Sequence, residues 1–343
     1  MKKILFFDSV APYEYNFNIL DEKGIGASES YLLHIANELK KKFEVEIATQ
    51  FVKYNHIQKD IVFKKLQKKE LSDHYDIIII QRNPQNVRQL KELYPKAKIF
   101  IWLHDFFESS VWTTFNTNDL EYILKNSTLI CVSNWHKKNY AINFKLRKIK
   151  NSKIEFINFF IPDHNDIKNE NIDYDKNKLC FFSAGHKGLE FSVEIFKHLY
   201  KFNPKFKLYV GNPTYDQKYD FSKVDGIINL GSIPRSKVLH HQKESLLQLH
   251  LNKEYPETFG CVNAEANMVG TPVLCYDLGA TREILYNPTE QFVKTNRYRV
   301  DNHDITHIVE KVFKWRESHR PEMKLKDSLQ KEKVIKKWIE ILS

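Results

Sequence analysis

The sequence predicts an α/β protein built from two doubly wound domains. Short runs of β-branched and other apolar residues alternate with segments of helical periodicity, which is typical of parallel sheets covered by helices on both faces. This alternation occurs twice, and a polar stretch rich in Asn and Asp separates the two series. A chain of 343 residues is long enough for two hydrophobic cores. We therefore expect two domains that face each other across a cleft, with ligands bound outside the carboxyl ends of the strands.

The first series contains a very clear buried strand, the run DIIIIQ at residues 76–81. Its helical segments have apolar residues three and four positions apart, and Ser28 is expected to cap the first of these helices. The predicted strands are residues 3–7, 45–49, 76–81, 99–104 and 129–133, and the predicted helices are residues 28–42, residues 118–125 and a segment that begins at Asn134.

The second series follows residues 163–178, a polar segment that we interpret as an interdomain linker. Residues 325–342 have apolar side chains at helical spacing and predict a C-terminal helix that packs back on the first domain. The predicted organisation is a first domain at 1–162, the linker at 163–178, a second domain at 179–324 and the C-terminal helix at 325–343. The second domain has predicted strands at 179–183, 206–210, 226–230, 246–251 and 272–276, and predicted helices at 234–244, 259–268 and 304–316.

Composition excludes several classes of protein. The net charge of +10 is spread over both halves and comes mostly from Lys, so we expect a solvated surface and no nucleic-acid partner. No apolar run reaches the length of about 18 residues that a membrane helix needs, and the apolar block near the N-terminus is too short for a signal peptide. The four cysteines form no CxxC pair and suggest reduced thiols. These features predict a cytoplasmic protein.

Residues 136–153 form a basic segment with Tyr140 and Phe144 among the cations. Such a segment could lie on an anionic membrane surface, which would place the protein peripherally at a membrane. The alternative is a Lys-rich helix that packs its apolar stripe into the core.

The strongest chemical signal is a pair of carboxylates, Glu257 and Glu265, separated by seven residues. They bracket a predicted strand-to-helix turn in which Gly260 allows the backbone to approach a ligand closely. The start of the helix favours an anion, and Glu265 could accept hydrogen bonds from vicinal hydroxyl groups. Spacing alone favours two solvated glutamates beside a core helix, and it is the surrounding sequence that favours a ligand site.

Residues 257–285 resemble the donor-binding region of retaining glycosyltransferases of family 4, which have the GT-B fold. The family pattern is E-x-F-G-x-x-x-x-E-A, then G-x-P-V, then G-G-x-x-E, and Ala280 replaces its second glycine. The resemblance implies that Glu257 contacts the donor sugar and that Glu265 holds the nucleotide ribose. It also implies that the amides after Glu257 bind the diphosphate, through Thr258, Phe259, Gly260 and Cys261. The matched positions are Glu257, Phe259, Gly260, Glu265, Ala266, Gly270, Pro272, Val273, Gly279 and Glu283.

A second match lies at residues 183–190, where Lys187 precedes a predicted helix. The resemblance places this lysine on the diphosphate, whereas an isolated lysine here would be an ordinary surface residue. Family members usually have an Arg a few residues before the Lys-Gly pair. This sequence has none, so Arg235 in the turn at 231–235 is an additional candidate.

Two further matches lie in the first domain. Residues 26–29 resemble the Gly-Gly-x-Glu loop of the family, so Gly26 and Ala27 would approach the donor phosphate. His104 ends a predicted strand at the position where the family has a histidine beside the donor sugar, which implies a catalytic role. Asp105, which follows it, is a weaker candidate. Without the resemblance, residues 26–29 would indicate only the start of a helix, and His104 and Asp105 only polar residues at the end of a strand.

The resemblance implies a hexosyl- or related glycosyltransferase that retains anomeric configuration. It implies a UDP- or GDP-sugar donor, no cofactor, no required metal, and a glycan, lipid-linked or protein acceptor. One alternative is another GT-B enzyme, such as a nucleotide-sugar epimerase or an inverting transferase. Another is a non-catalytic protein that binds sugar nucleotides or glycans, which the absence of the Arg before Lys187 would favour.

Overall fold

The computed structural model describes residues 1–22, 24–149, 152–212, 220–221, 223–293 and 302–343. It divides into two compact units. The first unit consists of residues 1–19, 26–160 and 331–343, and the second of residues 20–25 and 161–330.

Each unit is built around a largely parallel sheet. In the first unit the strand order is β3-β4-β2-β1-β5-β6-β7-β8, and in the second it is β11-β10-β9-β12-β13. The first sheet contains β1 (Lys3–Asp8), β2 (Glu44–Thr49), β3 (His56–Gln58), β4 (Ile61–Lys65), β5 (Ile77–Gln81), β6 (Lys98–Trp102), β7 (Thr128–Cys131) and β8 (Ile154–Phe156). The second contains β9 (Asp175–Phe182), β10 (Lys207–Gly211), β11 (Ile227–Gly231), β12 (Ser245–His250) and β13 (Val273–Cys275).

Helices connect most of these strands, as the alternating sequence pattern predicts. The helices are α1 (Phe17–Glu22), α2 (Ala27–Leu39), α3 (Asn86–Leu93), α4 (Thr117–Asn126), α5 (Asn134–Leu146), α6 (Asn165–Asn169), α7 (Leu189–Phe202), α8 (Arg235–Lys243), α9 (Cys261–Met268), α10 (Thr281–Ile284), α11 (Pro288–Gln291), α12 (Asn302–Glu317) and α13 (Lys331–Leu342). In the part of the chain that the structure describes, none of them is long and apolar enough to cross a membrane.

The central strands are apolar on both faces because helices cover both sides of each sheet. In the first unit β1 pairs in parallel with β5, with Ile4 opposite Ile77, and residues 4–7 and 77–80 are buried. In the second unit β9 pairs in parallel with β12, with Leu247 opposite Leu179. The strand order reverses direction between β1 and β5 and again between β9 and β12. Ligands of doubly wound sheets bind at the carboxyl ends of such strand pairs.

The predicted C-terminal helix is present and packs on the first unit, as the sequence predicted. It begins at Lys331, and its side chains Val334, Trp338 and Leu342 are buried. The Trp338 ring lies edge-on to Trp102 at the end of β6, with 5.0 Å between the ring centroids. The helix therefore completes the core beside β6.

Several features differ from the sequence prediction, including β8, α1 and α3, which it did not predict, and the C-terminal helix, which begins six residues after Leu325. The edge of the first sheet is an antiparallel hairpin of β3 and β4, which the sequence analysis did not predict. Its turn residues Lys59 and Asp60 have φ of 46° and 58°, so a two-residue turn forms without the glycine or asparagine that usually marks one. In addition, β9 begins at Asp175, and α6 also lies inside the segment interpreted as a linker.

Candidate active site

Glu257 follows β12 and its side chain is held from two directions. Lys187, in the loop after β9, has its Nζ 2.9 Å from Glu257 Oε1 and 3.0 Å from Oε2. His250, the last residue of β12, has its Nε2 3.1 Å from the same Oε1. An ionised carboxylate only accepts hydrogen bonds, so the His250 Nε2–H is the donor. The reversal between β9 and β12 therefore brings together two residues that the sequence placed in one site and a third, His250, that it did not predict.

The surroundings of Glu257 keep its carboxylate charged. Burial alone would raise the pKa of Glu257, because a low-dielectric environment disfavours the charged form. The charge of Lys187 and the hydrogen bond from His250 outweigh burial and hold the pKa well below its usual value. A fixed negative charge with well-defined oxygen positions can accept hydrogen bonds from a polyhydroxylated ligand.

The backbone of Glu257 is fixed by close contact with Gly279. The Ala280 N–H donates to the carbonyl oxygen of Glu257 at 2.7 Å. A Cβ added to Gly279 would lie 2.3 Å from that oxygen, and Gly279 has φ of +69°. Position 279 therefore requires glycine. Ala280 has φ of −84°, which any L-residue can adopt, so an alanine fits where the family pattern has its second glycine.

The loop that carries Lys187 also approaches a neighbouring backbone closely at a glycine, in this case at the end of β12. Gly188 has φ of +90°, and a Cβ there would lie 2.5 Å from the carbonyl carbon and oxygen of Leu251. This contact sets the position of Lys187 relative to the strand that leads to Glu257. On the rim of this region, the rings of His186 and Tyr255 are 5.2 Å apart and nearly perpendicular.

Glu265 lies one turn into α9, and Arg235 at the start of α8 forms an ion pair with its Oε1. Glu265 is 5% exposed. Burial raises the pKa of Glu265, and the Arg235 charge offsets part of that rise. The structure thus pairs Arg235 with the carboxylate proposed to bind ribose, where the sequence analysis had considered it as a diphosphate ligand.

The turn between these glutamates ends in a left-handed residue. Gly260 has φ of +90° and is the N-cap of α9, which begins at Cys261, two residues later than predicted. Phe259 is buried at 2% exposure and belongs to the core. Thr258 and Cys261 are partly exposed. The positive end of the α9 dipole points toward this turn, which favours an anion there.

In the first unit, His104 follows β6 and is linked to the start of α2. Its Nε2 lies 3.2 Å from Gln81 Oε1, while Gln81 Nε2 donates to the carbonyl oxygen of Ser28 at 3.0 Å. The amide orientation of Gln81 makes Nε2–H of His104 the donor. Burial, followed by the charges of Arg82 and His136, lowers the pKa of His104 well below its usual value. His104 is therefore a neutral imidazole that can donate or accept a hydrogen bond but carries no charge.

Asp105 is exposed, and two hydrogen bonds hold its backbone carbonyl group. The carbonyl oxygen of Asp105 accepts hydrogen bonds from His136 Nε2–H at 2.8 Å and from the Tyr140 hydroxyl at 3.2 Å. Both donors lie on the buried face of α5. These bonds hold the loop that carries His104.

The Gly26–Ala27 loop is held by a network that the sequence analysis did not predict. The Gly26 N–H donates to the Tyr13 hydroxyl at 2.6 Å, and that hydroxyl donates to Glu29 Oε2 at 3.3 Å. Arg82, just after β5, lies 2.6 Å from Glu29 Oε1. A Cβ at Gly26 would be 2.3 Å from Glu29 Oε2, so a larger residue here would displace the Glu29 carboxylate from this network. Gly26 is buried and Ala27 is exposed.

The predicted N-cap of α2 is wrong. The helix begins at Ala27 with Gly26 as its N-cap. Ser28 lies inside the first turn, and its hydroxyl donates to Glu29 Oε2 at 3.1 Å. The Ser28 hydroxyl is therefore bonded to the Glu29 carboxylate and does not cap the helix.

Within the described ranges, no group of three or more His, Cys, Asp or Glu side chains is placed to hold a metal ion. The thiols of Cys131, Cys180 and Cys275 are buried, and Cys261 is partly exposed.

Comparison with known families and structures adds to this geometry. Residues 163–332 match the family model described as glycosyl transferases group 1. A search of curated proteins finds no match. The matched segment contains Lys187, Arg235, Glu257 and Glu265.

Solved structures share the fold over most or all of the chain. Sucrose-phosphate synthase from Thermosynechococcus elongatus is 13% identical, with a TM-score of 0.68, over 99% of this chain and 98% of that one. Anabaena HepE in complex with UDP and glucose is 14% identical, with a TM-score of 0.62, over 100% and 99%. The pneumococcal O-GlcNAc transferase GtfA in complex with UDP and GlcNAc is 14% identical, with a TM-score of 0.56, over 78% and 56%. The fold is thus GT-B, with two Rossmann-like domains, and the matched segment and the fold together support a GT-B glycosyltransferase.

Proposed function

We propose that this protein transfers a sugar from a nucleotide diphosphate sugar to an acceptor, with retention of anomeric configuration, as family 4 glycosyltransferases do. The observation that carries the proposal is the buried Glu257 carboxylate, held by Lys187 and His250 at the strand reversal of the second sheet. A segment that matches glycosyl transferases group 1 contains all three residues. A charged carboxylate, a lysine and a helix N-terminus suit a ligand that is both an anion and a polyol.

Each residue then has a stated part in the reaction. Glu257 orients hydroxyl groups of the donor sugar, and Glu265 accepts hydrogen bonds from the ribose. Lys187 and the amides of residues 258–261 stabilise the diphosphate as it leaves, because charge develops on it in the transition state. This chemistry needs no metal or cofactor.

The first-unit residues complete the proposal. Neutral His104 hydrogen-bonds the donor sugar near its reacting carbon, and the loop at Gly26 and Ala27 approaches the donor phosphate. Asp105 is an additional candidate beside His104.

The donor and acceptor follow from chemistry and from the similar proteins. We propose a UDP-sugar in first place, because the structures of HepE and GtfA contain UDP, with a GDP-sugar as the alternative. The acceptor is a glycan, a lipid-linked sugar or a protein, and the proposed location is the cytoplasm or the cytoplasmic surface of a membrane. A non-catalytic binding protein is the second candidate, favoured by the absence of an Arg in the loop before Lys187.

The first test is nucleotide binding measured by thermal shift with UDP, GDP, ADP, CMP and their sugar conjugates. Ligand at about 100 times its dissociation constant adds about 2.7 kcal/mol of stability. For a unit of about 150–250 residues this raises the melting temperature by roughly 5–10 °C. We expect a shift with one nucleotide that Glu265→Gln removes. No shift with any nucleotide would contradict the proposed donor site.

The same preparation separates an enzyme from a binding protein. Glu257→Gln keeps the shape of the side chain but removes its charge, so turnover or slow hydrolysis of the donor should be lost while the shift with free nucleotide remains. Equal turnover in this variant and the wild type would contradict the role of Glu257. A wild-type protein that binds the nucleotide sugar and never consumes it would favour the binding-protein alternative.

A further inference from the structure

Helix α5 has a buried face that supports the His104 loop and an opposite face in solvent. His136, Tyr140 and Phe144 are buried in the core of the first unit, where the rings of Tyr140 and Phe144 pack against Phe107 and Trp112. The aromatic residues that the sequence showed among the cations are therefore core residues. Because they are buried, they cannot contact a membrane or another molecule.

The solvent face carries two other apolar residues. The side chains of Ile142 and Leu146 are 58% and 75% exposed, and they lie four residues apart, next to each other on the helix. Lys138 and Lys145 are exposed on the same face. We name these four residues the α5 surface. Two large aliphatic side chains here are in water, although a helix on a doubly wound domain needs apolar residues only on its inner side.

Charge around the α5 surface is almost all positive. Residues 134–153 contain seven Lys or Arg and no Asp or Glu. The acidic groups that face this helix come from other elements. Glu155 of β8 lies 3.6 Å from Lys137, and Glu108 accepts hydrogen bonds from Asn139 and Asn143.

Helix α13 brings a further cation to the same side of the unit. Lys337 Nζ lies 3.6 Å from the centroid of the Phe156 ring in β8, and the neighbouring Glu155 lies 3.6 Å from Lys137. Cations from both α5 and the C-terminal helix therefore lie beside β8.

We propose that the α5 surface binds a membrane rich in anionic phospholipids, with Ile142 and Leu146 in the headgroup–acyl boundary and the lysines on the headgroups. Exposed aliphatic side chains flanked by Lys and Arg are the combination that interfacial helices use. Each lysine near an anionic surface strengthens binding about fivefold. A nucleic acid would bind the cations but has no apolar group to cover the aliphatic pair, whereas the acyl boundary of a membrane does. This proposal is independent of the glycosyltransferase reaction.

The test is co-sedimentation of the full-length protein with vesicles, either of phosphatidylcholine alone or of phosphatidylcholine and phosphatidylglycerol in equal amounts. We expect binding to the anionic vesicles only, and weaker binding as salt rises from about 0.1 M to about 1 M, where the Debye length falls from about 10 Å to about 3 Å. The variants are Ile142→Gln/Leu146→Gln for the aliphatic pair and Lys138→Gln/Lys145→Gln for the charges. Each double variant should weaken binding at least tenfold, and all four changed side chains are exposed, so the fold should persist.

Matched controls come from the end of α7 and the turn after it. Phe202 is 70% exposed, and Lys201 and Lys205 are exposed, so Phe202→Gln and Lys201→Gln/Lys205→Gln remove comparable groups elsewhere. These controls should bind like the wild type. Absence of binding to anionic vesicles would overturn the proposal. So would loss of binding in the α5 lysine variant but not in the aliphatic variant, which would indicate adsorption by charge alone.

Discussion

At the scale of single residues, the site is defined by what its carboxylates contact. Glu257 is charged because Lys187 and His250 compensate for its burial, and Glu265 is compensated in part by Arg235. A buried carboxylate that lost such a partner would be held less firmly and would protonate more easily. The partners are therefore as important for the proposed chemistry as the carboxylates themselves.

His250 gives a prediction at this scale, which depends on the proposed function. As a positioning residue, it holds Glu257 by one hydrogen bond to a charged group, which is worth about 1.5–3 kcal/mol. His250→Leu should therefore lower kcat by roughly 10–100-fold, because Glu257 is less well oriented. Nucleotide affinity should stay within about twofold, since in the proposed function it is Glu265 that binds the nucleotide. Steady-state kinetics and nucleotide titration measure the two quantities.

A conservative variant tests whether loss of the hydrogen bond to Glu257 is what lowers kcat. His250→Gln places an amide N–H near the former Nε2 and should recover much of kcat. If His250→Gln were as impaired as His250→Leu, or if both lost nucleotide affinity in parallel with kcat, His250 would be a structural residue of β12 and not a positioning residue.

The sequence predicted the residues of a motif better than their partners. Glu257, Glu265 and Lys187 stand in recognisable local patterns, and the structure places Lys187 and Glu257 in contact. His250 and Arg82 have no local signal, since each is a polar residue at or after the end of an ordinary strand. Their importance comes from contacts across the sheet, which depend on strand order and cannot be read from spacing.

At the scale of elements, two glycines hold loops together at the site. A Cβ at Gly188 or Gly279 would strike the backbone of the neighbouring loop, at Leu251 or Glu257 respectively. The strand-to-helix turns of the second unit can thus approach each other only with glycine at these positions.

A comparison of glycine variants measures this packing. Gly279→Ala must adopt φ near +69° and also displace the Glu257 backbone, whereas Gly231→Ala adopts φ near +62° with no atom within 4 Å of its Cβ. Both changes should cost about 1–2 kcal/mol for the left-handed conformation, and only Gly279→Ala adds about 1–3 kcal/mol for overpacking. Urea denaturation should show the difference. Equal losses in the two variants would mean that the loop at Glu257 relaxes at no cost.

Sequence periodicity predicted most strands and helices but not the hairpin of β3 and β4. Buried parallel strands such as β5 are continuous apolar runs, and their signal is strong. The hairpin is short, lies at the sheet edge and turns at Lys59 and Asp60, residues without a turn preference as strong as that of Asn-Gly. The start of β9 was missed for a related reason, because Asp175 and Lys176 are exposed and polar.

At the scale of the whole molecule, buried histidines make stability depend on pH. Burial lowers the pKa of His136 to about 4, although its hydrogen bond to Asp105 opposes the shift. The folded pKa lies below the unfolded value of about 6.5, so the stabilisation is present above pH 6.5 and is lost as the pH falls. His136 alone should account for a loss of roughly 2 kcal/mol between pH 7 and pH 5. Burial also lowers the pKa of His104, so His104 likewise makes the protein less stable as the pH falls.

Tryptophan fluorescence can follow this effect in the first unit alone. Of the five tryptophans, Trp315 lies in the second unit, so a Trp315→Phe background leaves signals from the first unit only. His136→Gln should flatten the dependence of unfolding free energy on pH between pH 7 and pH 5, whatever its effect at pH 7. A slope equal to that of the parent would show that His136 does not cause the acid sensitivity.

The return of the chain to the first unit at Lys331 has a consequence for biosynthesis. Trp338 covers Trp102, yet residues 161–330, nearly all of the second unit, are translated between the first unit's strands and this helix. At about 5–20 residues per second, the ribosome takes roughly 10–30 s to make that segment. During this interval the nascent first unit exposes the apolar surface of β6 beside the His104 loop. The second unit, by contrast, is finished earlier. The part of the protein whose synthesis starts first is therefore the last to complete its core.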